Sequence, residues 1–152
     1  MAKRKARAAT KRKTAKSAPA LELNHAMIYV RNLAAALEFY ANHLGFKVVD
    51  EYPGAYARLQ SANGTATLAL HAAKPEESVS SPGVRLYFEV KELQKFCAKL
   101  EEAGVRIAEP PKMMPWGWQH AYLNDPDGHE ISLYWAGKKR LQKTVMQQSA
   151  GA

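Results

Sequence analysis

YVRNLAAALEFYANHLGFKV, Tyr29 to Val48, returns in altered form as EVKELQKFCAKLEEAGVRIA, Glu89 to Ala108. Laid over one another, the two stretches keep Val30 with Val90, Leu33 with Leu93 and, after a slip of one residue, Gly45 with Gly104. Each reads as the end of a strand, a helix with apolar residues every three to four positions, and the start of another strand. Asn32 suits an N-cap because its side chain can accept from the first free amides, and Gly45 suits a helix stop.

The surroundings repeat as well. LNHAMIYV alternates before the first helix, and FKVVDEY, GAYARLQSA and GTATLALHA follow it as short strands parted by turn residues. GVRLYFEV precedes the second helix, with VRIAEP, WGWQHAYLND and GHEISLYW after it. Similarity at a spacing of about 60 residues exceeds a solenoid unit and points to a duplicated motif. The expected fold is therefore α+β, two tandem βαβββ modules forming a cupped mixed sheet. Module one covers about 21–73, a polar Pro-containing linker about 74–82 and module two about 83–136, together one domain over 21–136.

The net charge of +8 resides at the ends. Residues 1–20 carry eight Lys and Arg and residues 137–152 four more, none offset by an acid, so the body holds ten basic against fourteen acidic residues. The N-terminal tail is expected to be disordered, because Lys, Arg, Ala and Thr bury too little apolar surface to offset their ordering entropy. It suits weak, salt-sensitive nucleic-acid contact or a purely solubilising role equally well. No apolar run is long enough to span a membrane, and none follows the basic start as a secretory leader requires. A single cysteine, Cys97, fits a reducing, cytoplasmic setting and lies on the apolar stripe of its helix, where core packing is favoured over a nucleophilic role.

LNDPDGHEISLYW, Leu123 to Trp135, joins a turn to an alternating strand. In Asp125-Pro126-Asp127-Gly128, Pro presets one backbone torsion and Gly accepts a positive one. This turn, the element order and LAAALEFYANHLGFKVV after a strand opening on His resemble the vicinal oxygen chelate superfamily of glyoxalase I, bleomycin- and fosfomycin-resistance proteins and extradiol dioxygenases. The resemblance covers roughly residues 21–136. It implies a cup between paired modules, frequent homodimers with shared sites and, commonly, a divalent metal.

The resemblance also implies four ligand places. His25 matches the first, whereas the others fall at Ala69, Arg85 and Ser132, which offer no donor, a fixed cation and a neutral hydroxyl. No metal site and no cofactor are therefore expected. An alternative cluster of His25, His71, His120 and Glu130 keeps a divalent metal open. Alternation turns His25, Met27, Tyr29, Thr67, Ala69 and His71 toward the cavity, with Arg85, Tyr87 and Glu89, then Trp118, His120 and Tyr122, then Glu130, Ser132 and Tyr134. Ala26, Ile28, Val30, Leu68, Leu70, Leu86, Phe88 and Val90 point to the core. PPKMMPWGWQH, with Pro110, Pro111 and Pro115, reads as a stiff lid carrying Met113, Met114 and Trp116 to the rim or to a dimer contact.

The expected ligand-binding residues are thus His25, Tyr29, Arg85, Tyr87, Trp116, Trp118, His120, Tyr122, Ser132 and Tyr134. They suit a small aromatic or anionic molecule, with Arg85 holding the anion. A filled core with Arg85 paired to Glu89 or Glu130 is the bland counterpart. A lyase, isomerase or dioxygenase would instead need an acid–base pair, for which His120 and Glu130 are the candidates. A nucleic-acid-associated protein acting through its tails is the third reading.

Overall fold

A computed structural model describes residues 23–79 and 82–137, so the expectations placed on the tails and on part of the linker lie outside the described residues. The elements follow the order β1 (His25–Val30), α1 (Leu33–Leu37), β2 (Lys47–Tyr52), β3 (Tyr56–Gln60), β4 (Thr67–Ala72), β5 (Arg85–Glu89), α2 (Leu93–Glu102), β6 (Ile107–Met113), β7 (Gln119–Asn124) and β8 (Glu130–Trp135). They form two four-stranded mixed sheets, ordered β1-β4-β3-β2 and β5-β8-β7-β6. In each, the strand before the helix pairs parallel with the last strand of its module. None of the described helices is long and apolar enough to cross a membrane.

The helix ends obey the sequence. Asn32 accepts a hydrogen bond from the Ala35 amide at 3.0 Å, and Gly45 and Gly104 stop their helices with φ of 78° and 83°. Between Leu37 and Gly45 the first helix departs from α geometry, because Glu38–His43 form a π-helical stretch. A π turn holds one more residue than an α turn. The single-residue slip between the two repeats is thereby absorbed inside the helix, and both Gly stops keep their place.

One apolar core serves both modules. Ile28, Val30, Leu59, Leu68 and Leu70 of the first sheet and Leu123, Ile131 and Leu133 of the second join Phe39, Tyr40, Leu93, Cys97 and Leu100 of the helices. Leu86, Phe88 and Val90 pack against it partly buried, whereas Ala26, expected in the core, is exposed at the start of β1. Burial pushes the Cys97 thiol up to about 11, so it stays protonated as a small apolar group.

Between the modules, Tyr40 Oη donates to Asp125 Oδ2 at 2.9 Å and the Arg31 amide donates to Asp127 Oδ1 at 3.0 Å. Asp125 also accepts from the His129 amide at 2.8 Å and lies 2.7 Å from His129 Nδ1. The turn is thus a buried polar knot as well as a chain reversal.

The lid is a correction. Pro110 and Pro111 belong to β6, which runs on to Met113, leaving only Met114 to Trp118 as a turn. β6 is the outer strand of its sheet, where a missing N–H costs no ladder bond, and its register is interrupted on either side of Glu109.

Candidate functional site

The open face of the second sheet is built by alternation along β5, β7 and β8. In β8, Ile131 and Leu133 turn to the core while Glu130, Ser132 and Tyr134 turn away from it. Their cross-strand neighbours are Arg85 and Tyr87 on β5, and Asn124, Tyr122 and His120 on β7. His120 is the centre of this surface. Trp118, Tyr134 and Tyr122 lie near-parallel to its ring at 6.4, 5.6 and 5.9 Å, and Tyr87 and Trp116 meet it edge-on at 6.2 and 5.5 Å.

His120 is only 3% exposed and its Nδ1 lies 2.8 Å from Ser132 Oγ, which is itself fully buried. Its Nε2 is buried without a hydrogen-bond partner. Burial first, and the nearby Arg85 charge second, lower its pKa, so the ring is neutral near pH 7. A neutral imidazole donates through one nitrogen and accepts through the other, which leaves one unmet polar contact inside an aromatic wall.

Arg85 does not stand alone. Its Nε and Nη2 both approach Glu130 Oε2 at 3.0 Å, and its guanidinium lies 4.9 Å from the Tyr122 ring centre. The pair is largely exposed. It borders an open cleft of about 360 Å3 with Glu109, Met114, Tyr122 and Asn124. The suggested acid–base pair is not assembled, since the β7–β8 register sets Glu130 opposite Asn124 and its carboxylate on Arg85, while His120 turns to Ser132.

On the first sheet, His25, Met27 and Tyr29 of β1 share the open face with Thr67, Ala69 and His71 of β4 and with Tyr56, Arg58 and Gln60 of β3. Tyr29 packs at 5.4 Å from the His71 ring, whose Nδ1 lies 2.9 Å from the carbonyl of Ala72. Arg58 Nη2 lies 2.8 Å from His25 Nδ1. Arg58 is the site residue the strand reading missed, although Tyr56, Arg58 and Gln60 alternate with the buried Ala57 and Leu59 as an open-face row should.

A divalent metal does not fit these residues. His25 faces a guanidinium, Ala69 has no donor, Arg85 is a cation held by Glu130, and Ser132 is engaged by His120. The alternative cluster is not brought together either. His25 and His71 lie on one sheet and His120 and Glu130 on the other, and among the described residues no three His, Cys, Asp or Glu are grouped to hold an ion.

Comparison with known proteins agrees with the fold. The family model of the Glyoxalase/Bleomycin resistance protein/Dioxygenase superfamily matches residues 22–133. A probable lactoylglutathione lyase of Synechocystis is 25% identical over 128 residues, 78% of this chain and 98% of that protein. A solved superfamily member from Sphaerobacter thermophilus is 28% identical with a TM-score of 0.64, covering 76% of this chain and 98% of its own. TnmS3, an antibiotic binding protein from Streptomyces, is 25% identical with a TM-score of 0.66, covering 78% and 98%. With duplicated modules, the turn before β8 and a match across most of its length, the chain belongs to the glyoxalase/bleomycin resistance/dioxygenase superfamily.

Proposed function

We propose that this protein binds a small aromatic, anionic molecule without a metal. The observation that carries the reading is the His120 surface, where five aromatic rings surround a neutral imidazole whose Nε2 has no partner. Flat rings supply stacking area at little conformational cost. The likeness to an antibiotic binding protein supports the same reading.

The ligand would lie between open faces contributed by two copies of the chain. Met27, Tyr29, Tyr87 and Trp116 are 39–54% exposed on the two faces, more large apolar surface than a ligand on one sheet alone would cover. A homodimer closes the cup and gives both faces a partner.

Elemental analysis of the purified protein tests the metal-free reading. We expect substoichiometric Ni, Zn, Fe and Mn after mild dialysis with ligand binding intact; one tightly held ion per chain would overturn it. The relative of Synechocystis, a probable lactoylglutathione lyase, favours a second reading as a lyase. Such an enzyme would have to work with a different set of groups, since the donors required for a metal are not assembled.

A further inference from the structure

We propose that Arg58 and His25 form a second, anion-holding subsite on the first sheet, which takes the carboxylate or phosphate oxygens of the bound molecule. The inference rests on the ligand-binding reading above and names the charged end of that ligand. Arg58 rises from the middle of β3 directly across from Ala69 of β4, whose lack of a side chain beyond Cβ leaves room for the guanidinium to lie over the strand. Ala69 is fully buried although it belongs to the open face, as a residue covered by its neighbour would be.

The guanidinium carries five N–H groups and no acceptor. Nη2 reaches His25 Nδ1 at 2.8 Å and Asn24 Oδ1 at 3.4 Å. His25 Nδ1 also lies 2.9 Å from Asn24 Oδ1, so according to its tautomer it either accepts from Arg58 or donates to Asn24. Arg58 Nε is buried with no partner. No carboxylate among the described residues is paired with Arg58, and Asp50, its Cα neighbour on β2, makes no ion pair with it.

Arg85 is the contrast. Both nitrogens on one edge of its guanidinium are spent on Glu130. Of the two arginines that face outward from the sheets, Arg58 is therefore the one whose charge no carboxylate among the described residues pairs, and an unpaired guanidinium rewards an oxyanion. One fixed positive charge without a paired carboxylate selects an anion over a cation or a neutral polar group.

Benzoate, benzyl alcohol and inorganic phosphate make the test, read by intrinsic fluorescence and by the Arg side-chain Nε–H resonances of the full-length protein. Benzoate should bind about tenfold more tightly than benzyl alcohol, and Arg58→Gln should bring the ratio of the two affinities close to one. Phosphate alone should move the Arg58 Nε–H signal and leave that of Arg85 in place if the subsite takes any oxyanion; a shift with benzoate only would assign it to carboxylates. Arg58→Lys, which keeps the charge, should retain part of the preference and guards against a folding defect in the first variant. An equal affinity for benzoate and benzyl alcohol, or a benzoate preference that survives Arg58→Gln, would overturn the subsite while leaving the aromatic reading intact. Failure of all three probes to bind would remove both.

Discussion

Ser132 and His120 hold each other in a space that water does not enter, and the imidazole is kept neutral there by burial and by the Arg85 charge. A histidine whose folded pKa lies below its unfolded value binds fewer protons when folded. Its contribution to stability is complete above the ordinary value of 6.5 and is lost as the pH falls from there through the lower folded value. Chemical denaturation between pH 7.5 and 5 should therefore show wild-type stability falling more steeply than that of His120→Phe; parallel curves would mean the ring is not kept neutral. The alternation of GHEISLYW made the direction of Ser132 legible. Alternation did not reveal which pairs would meet. Whether Glu130 turns to Arg85 or to His120 depends on which β7 residue lies opposite it, and that is set by strand register, which one sequence leaves open.

At the scale of elements, the sequence marked helix starts and stops through Asn32, Gly45 and Gly104, since each has a specific backbone role. It was less informative where an element violates its own average. The periodicity of LAAALEFYANHL is that of an ordinary helix, yet Phe39 and Tyr40 are both buried as adjacent residues in a widened turn. Pro110 and Pro111 signalled a break that an outer strand tolerates. The widened turn has a measurable purpose, because it is where Tyr40 reaches Asp125 across the module boundary. Burial first, then the Asp125 carboxylate, raise the Tyr40 pKa far above the ordinary phenol range, so Oη remains a donor throughout the folded pH range. Tyr40→Phe should cost about 1.5–3 kcal/mol by urea denaturation, the usual worth of a hydrogen bond to a charged group. A change within a few tenths would show that water replaces the phenol.

For the whole molecule, the duplication and the tandem sheets were legible because one copy repeats the pattern of the other. The composition of the open faces was legible as well, but not their exposure, since alternation says which way a side chain points and not what meets it. Tyr87 and Trp116 are 54% and 40% exposed on the open face of the second sheet and Tyr29 is 39% exposed on that of the first. Sedimentation should give the mass of two chains at micromolar concentration, and Tyr87→Arg should shift it to one chain with an unchanged circular dichroism spectrum. A monomeric wild type would require the cup to be closed in another way.

The π-helical turn also gives the duplication a direction. It occurs in the first copy and reaches for an aspartate in the second, whereas the second helix has Lys99 and Leu100 at the corresponding level and the turn before β4 has no Asp. Two identical copies of either half would have the hook without the eye, or the eye without the hook. The extra residue therefore makes the two halves unlike partners, each supplying what the other lacks to hold the protein closed.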